Sequence, residues 1–401
     1  MNELYSKHYF NIKGVNAEKY VHELAEKTFL LDWCFLNPKL PDGKELCDLL
    51  VIFDDIAIIW QIKDLKLNKD GKYKKAEVDK NLRQLAGAKR QLFDIKTPLG
   101  LQNTRRTIKT FDPSLIKQIF LISVLLGEGE EYFSFIDEIK ANKVHVFTRD
   151  FTQIVLNELD TINDFIDYIK AKETFINTKK YLKIGIIGGE EEFLAFYLMN
   201  GRSFERLDNI NYIMFEDGSW EHLQSKPEYK AKKEADMISY AWDNIINRAH
   251  EGSEKYELVA RELSRPNRFH RRTLSKIFFE AYVQAHEDAE NNILRRFIPT
   301  EDGITYCFLF MDDPEPRNNR KTILKNICFV ARGKFRQNQK VLGIATEKKI
   351  QPTSSYDFAF MNWTEWTDED QRIMEQIQNK TGILENPIIG STQEDEYPKG
   401  K

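Results

Sequence analysis

Long apolar runs are missing from this chain of 401 residues. The longest, from Ile119 to Leu126, is interrupted by Ser123 and ends at Gly127. It falls short of the roughly 18–20 apolar residues that a membrane-crossing helix needs, so no membrane partner is expected. The opening residues MNELYSKHYFNIKG lack the basic segment and apolar stretch of a secretory signal. Cysteine is scarce: Cys34, Cys47, Cys307 and Cys328 are scattered without CxxC spacing. Neither a zinc site nor a disulfide framework is indicated, and a cytoplasmic setting is expected. The seven histidines form no HxH or HExxH pattern, and no GxSxG elbow occurs, which removes zinc hydrolases and serine hydrolases as readings.

A large excess of one charge is also absent. The 59 Lys+Arg against 63 Asp+Glu give a net charge of -4, which argues against coating nucleic acid by bulk attraction. The distribution is uneven, however. From Lys63 to Lys109 the chain carries 14 basic residues against 5 acidic ones. A second cluster, Arg261, Arg265, Arg268, His270, Arg271, Arg272 and Lys276, contains only Glu262 as an acid. Both stretches are candidate phosphate-binding surfaces.

The length exceeds what one hydrophobic core usually serves. Residues 1–175 alternate as an α/β unit, a mixed sheet flanked by helices. Residues 181–390 read as an α+β domain, and 391–401 as a flexible tail. In the first unit Asn16 is the expected N-cap of a helix over Ala17–Phe29, whose inner stripe is Tyr20, Val21, Leu24, Ala25 and Thr28. Strands are expected at Asp48–Phe53 and Ile56–Lys63, followed by a helix at Ala76–Phe93 and a buried strand at Ile116–Leu125. A helix at Glu131–Ala141, a strand at Val144–Phe147 and one long helix at Phe151–Ala171 complete it. The paired Gly188-Gly189 lacks the full GxGxxG or Walker spacing of a phosphate loop. Further helices are expected at Ala231–Ala249, Tyr256–Leu263, Arg268–His286 and Thr367–Lys380, with strands at Ile304–Met311 and Ile327–Gly333.

The stretch with the clearest chemistry is KELCDLLVIFDDIAIIWQIKD, Lys44 to Asp64. Two β-rich runs flank Asp54-Asp55, the pattern of a two-residue hairpin. With those two residues as the loop, Phe53 faces Ile56, and Asp48 faces Gln61. Opposed residues project to the same side and side chains alternate, so Lys63 shares that face. A carboxylate, an amide oxygen and an ammonium then converge at the open end of the hairpin. Asp48, Gln61 and the main-chain carbonyl of Ile62 suit a hard oxygen-seeking cation, Mg²⁺ or Mn²⁺. Lys63 is placed to orient water or offset transition-state charge in phosphodiester hydrolysis.

This D…QxK order, between a leading helix and a basic following helix, resembles the PD-(D/E)XK nuclease superfamily over roughly residues 15–150. Gln61 stands where the family usually has an acid, and a similar glutamine occurs in its Mrr-like restriction branch. The resemblance implies a metal-dependent endonuclease acting on DNA, and a setting in defence against foreign DNA. It also implies a carboxylate from the first helix, for which Glu23 is the candidate ahead of Glu26. Glu45 reaches the site only through a bulge or strand end. RecB-like relatives place a glutamine of the following helix beside the site, so Gln84 joins Lys80, Arg83 and Arg90 as nucleic-acid-binding candidates, and Arg268, Arg271 and Arg272 are the candidates in the second half. The rival readings are an inactive nucleic-acid-binding module and a sensor or interaction protein whose second domain contacts a partner or a second copy.

Overall fold

The computed structural model describes residues 15–65, 68–70, 73–105, 107–127, 136–178, 183–207, 212–252, 256–288, 290–312, 318–349 and 354–399. Lys66, Lys72 and Arg106 of the basic stretch, and residues 131–135 of one expected helix, lie outside them. The chain divides into two compact units, residues 1–229 and 230–401.

The first unit is built on a six-stranded mixed sheet. Its elements are α1 (Val15–Phe29), β1 (Cys34–Leu36), β2 (Leu49–Phe53), β3 (Ile56–Lys63) and α2 (Lys75–Lys89). A small ribbon, β4 (Gly100–Leu101) with β5 (Lys109–Thr110), precedes β6 (Gln118–Leu125), β7 (Ile136–Ile139), β8 (Asn142–Thr148), α3 (Arg149–Glu158) and α4 (Ile162–Thr178). The main sheet has the order β1-β2-β3-β6-β8-β7, with β3, β6 and β8 mutually parallel and the outer strands antiparallel. Helices cover the two faces. On one, Trp60 of β3 stacks on Phe165 of α4 at 5.6 Å and meets Phe29 of α1 at 6.0 Å. On the other, Val78, Leu82 and Leu85 of α2 join Leu50, Ile59 and Leu121 in the core.

The β2–β3 hairpin has the expected register, with Phe53 opposite Ile56 and Leu49 opposite Trp60. Asp54 takes a φ of 54°, the left-handed conformation that tight hairpin turns need. Four other expectations are corrected. Asn16 lies within α1 rather than capping it. Ile136–Ile139 is a strand, because Lys140 and Ala141 both take positive φ and fold it back on β8. The expected helix over Phe151–Ala171 is two helices. Thr161 ends the first by capping the second: its hydroxyl accepts from the Asp164 N–H at 3.2 Å and donates to the Asp164 carboxylate at 2.7 Å. Ile327–Gly333 is helical, as described below.

The unit ends with β9 (Lys183–Ile186), α5 (Glu190–Met199), β10 (Tyr212–Phe215) and α6 (Ser219–Ser225). Glu190, Glu191 and Glu192 open α5 after Gly189, and Glu192 accepts from the N–H groups of Gly218 and Trp220. Three carboxylates at that helix start are incompatible with a phosphate cradle after Gly188-Gly189.

The second unit is entered along α7 (Pro227–Asp236), and continues with α8 (Tyr240–Gly252), α9 (Glu257–Ser264) and α10 (Arg268–Glu287). Its sheet consists of β11 (Ile293–Pro299), β12 (Ile304–Met311), β13 (Lys340–Thr346) and β14 (Asp357–Asn362), in that order. α11 (Asn318–Lys334) joins the parallel pair β12 and β13, and α12 (Asp368–Thr381) follows the sheet. Leu324, Ile327, Cys328 and Ala331 form a helical stripe buried in the core with Val341 and Ala345 of β13. Burial of that stripe overrides the β-branched character of Ile327 and Val330. Gly343 permits the approach, since a Cβ there would come within 2.5 Å of Cys328 Sγ.

Arg268, Arg271 and Arg272 do not form a surface: they are 3%, 1% and 1% exposed. Asp243 receives both Arg268 (2.9 Å) and Arg271 (2.7 Å). Arg272 pairs with Asp236 at 3.0 Å and Glu394 at 3.2 Å, and donates to the Asp395 carbonyl at 2.6 Å. These guanidiniums are scaffold, buried and already neutralised, and they are not the nucleic-acid surface expected from their charge. Residues 391–399 carry no regular structure, yet Glu394 and Asp395 are fastened to α10.

Candidate metal centre and nucleic-acid face

The hairpin register sets the site. Asp48 lies just before β2, and its main-chain N–H bonds the carbonyl of Trp60, the residue paired with Leu49, at 3.2 Å, so the regular register stops at Leu49. The Asp48 carboxylate accepts a short hydrogen bond from the Ile62 N–H. The Lys63 carbonyl accepts from Leu126 on the β6 side. Directions alternate along a strand, so the Ile62 carbonyl turns the opposite way, the way its own N–H points, to Asp48. Gln61 is 4% exposed. Lys63 is half-buried at the strand end.

Asp48 is 2% exposed. Burial pushes its carboxyl up to about 6; the Ile62 N–H and the Lys63 ammonium pull it down, and the hydrogen-bonded Glu45 carboxyl pushes it up again. Glu45 is exposed. Its proximity corrects the strict alternation argument, because the chain bends at Asp48 and regular extension starts only at Leu49.

The helix α1 contributes a different residue from the one expected. Glu23 has a side chain 54% exposed and pairs with Lys19 at 3.7 Å, turned to solvent. His22 instead is buried against the Asp48 main chain, and Nε2 of His22 lacks a partner. Burial pushes the imidazole down, partly countered by Asp48. A polar residue beside Val21 and Ala25 on the inner stripe was the available signal.

From α2, Asn81 is fully buried. Its side-chain amide donates to Ser123 Oγ at 2.7 Å and to the Gln61 carbonyl at 3.5 Å, holding β3 and β6 at the level of the site. Lys80, Arg83 and Gln84 of α2 and Arg90 just after it are exposed, and none of their side chains makes a hydrogen bond or ion pair among the described residues. Gln84 therefore does not position Lys63 here.

Among the described residues no group of three or more histidine, cysteine, aspartate or glutamate side chains is arranged to hold a metal. A cation at the hairpin would draw on Asp48, the Gln61 amide oxygen and the Ile62 carbonyl. The chemistry of that donor set, one carboxylate and two neutral oxygens, with the Ile62 carbonyl turned toward Asp48, fits that use. No helix among the described residues is long and apolar enough to cross a membrane. Comparison with protein-family models, with curated proteins and with solved structures finds no match.

Proposed function

We propose that the first unit is a metal-dependent nuclease of restriction-endonuclease-like design, acting on DNA. The observation that carries this reading is the buried Asp48 carboxylate fastened to the Ile62 N–H at the open end of the hairpin, with Gln61 and Lys63 flanking Ile62 on β3 and α2 packed on that strand through Asn81 and presenting exposed cations. Asp48, the Gln61 amide oxygen and the Ile62 carbonyl would hold Mg²⁺ or Mn²⁺. When bound, such an ion polarises a phosphoryl oxygen and makes its water more acidic. Lys63 supplies a positive charge beside the pentavalent phosphorus and a donor to orient the attacking water. Lys80, Arg83 and Arg90 supply sequence-independent contacts to neighbouring phosphates, and Gln84 a polar one.

Gln61 in place of an acid favours one alternative, a module that binds nucleic acid without cutting it. Incubating the full chain with plasmid, single-stranded DNA and RNA, with Mg²⁺ and with EDTA, separates the two. Nicking that requires Mg²⁺ supports the nuclease. Binding that is indifferent to EDTA, with every substrate intact, supports the module.

A further inference from the structure

The β6–β8 ladder runs only from Ile122–His145 to Leu125–Thr148, so the start of β6 has no strand neighbour on that side among the described residues. A cleft of about 270 Å³ opens there, between β6 and α4. Its strand wall includes Gln118 and the buried Phe120. Its helix wall includes Lys170, Glu173 and Asn177, which share one face of α4 because they lie three and four residues apart. Gln118 pairs with Ile56, next to the hairpin turn, and Lys63 pairs with Leu125 at the other end of β6. The cleft is therefore at the opposite end of the sheet from the hairpin centre.

Two opposite charges line the cleft and do not cancel. Lys170 and Glu173 have the helix spacing at which such side chains ordinarily pair, yet Lys170 forms no ion pair among the described residues. Glu173 is drawn instead to His145 of β8, whose Nε2 lies 2.9 Å from its carboxylate. His145 is fully buried, and burial pushes it down to about 4, so the ring is neutral at pH 7. A carboxylate only accepts, so Nε2 carries the ring proton, and the buried Nδ1, which has no partner, carries the lone pair. The contact orients Glu173 without neutralising it. At roughly 30 Å³ per water the cleft has room for about nine, and so for a molecule of about as many heavy atoms. That is the size of leucine; a mononucleotide has more than twice as many.

We propose that this cleft binds a free α-amino acid, with its ammonium on Glu173, its carboxylate on Lys170 and its side chain against Phe120. The amides of Gln118 and Asn177 supply further polar contacts. The inference is independent of the nuclease reading.

Equilibrium dialysis of the full chain against each of the standard L-amino acids, radiolabelled, tests this. The tightest binder is then compared with its N-acetyl and amide forms and with GMP, and the variants Glu173→Gln and Lys170→Met are measured beside the wild type. At least one amino acid is expected to bind. Each blocked form and each variant loses a hydrogen bond between charged groups, so each should bind about tenfold more weakly or worse. Thermal unfolding checks the variants, and the blocked forms test the same contacts on unaltered protein. Absence of binding by every amino acid overturns the proposal. So does binding that blocked forms and variants leave unchanged, and binding of GMP in place of any amino acid.

Discussion

The Ile62 main-chain N–H donates to the Asp48 carboxylate across the open end of the β2–β3 hairpin. One hydrogen bond thereby fixes the orientation of a buried acid and, through the strand, the direction of the neighbouring carbonyl. The bond has a cost attached to it, since the same acid is held almost entirely away from water.

That cost gives a pH-dependent stability. In metal-free protein the Asp48 carboxyl is raised to about 6 from an ordinary 3.8, so the folded state binds the proton more tightly than the unfolded one. The contribution is fully present below pH 3.8 and is lost as pH rises through about 6. Asp48→Asn keeps an acceptor for Ile62 and removes the charge. In EDTA it should be more stable than the wild type at pH 8, by on the order of 2–3 kcal/mol, with the gain vanishing near pH 4. Urea melts at the two pH values measure it, and an equal or lower midpoint at pH 8 contradicts the burial argument.

Asp48→Ala should behave differently. It leaves the buried Ile62 N–H without its acceptor, which costs about 1–3 kcal/mol relative to the asparagine variant. Equal melting of the two variants would mean that the hydrogen bond does not hold the hairpin end together.

The exposed cations of α2, with Arg90 in the turn that follows it, make a prediction about salt. Replacing Lys80, Arg83 and Arg90 together by alanine should weaken duplex binding by a similar factor on any sequence. The slope of log affinity against log salt should fall by about 0.9 for each phosphate that is no longer neutralised. Fluorescence anisotropy over a salt series measures the slope, and an unchanged slope makes α2 a solvated face.

The acidic tail makes a prediction about folding. Removing residues 391–401 strips Arg272 of Glu394 and the Asp395 carbonyl, and Lys276 of Glu394. Asp236 remains, so the loss should be about 1–3 kcal/mol in the second unit rather than collapse. Chemical denaturation of the truncated chain tests this, and an unchanged midpoint would show that the tail's ion pairs contribute nothing.

Much of the first unit was legible because period and turn chemistry agree there. The runs around Asp54-Asp55 specify one register, and it is the register observed from Phe53–Ile56 to Leu49–Trp60, ending just short of Asp48. The failures have local physical causes. Lys140-Ala141 is a two-residue turn without the asparagine or glycine that usually announces one. The Thr161 cap on Asp164 is written in the chain, but it lies inside an apolar stretch whose period runs on as one helix. Arginine in a cluster reads as surface from charge alone; only the fold brings Asp236, Asp243 and Glu394, distant in sequence, to neutralise Arg268, Arg271 and Arg272. Glu45 and His22 depend on a bend and on a helix-to-hairpin contact, neither of which has a sequence period.

Supercoiled plasmid incubated in Mg²⁺ with the wild type, Asp48→Asn and Lys63→Ala, at matched protein and salt, tests the hairpin site most directly. The wild type should nick or linearise the plasmid, EDTA should stop it, and each variant should cut at least about 100-fold more slowly while binding DNA as before. Cleavage by Asp48→Asn at the wild-type rate, or wild-type cleavage that persists in EDTA, would contradict a metal-dependent nuclease at Asp48, Gln61 and Lys63.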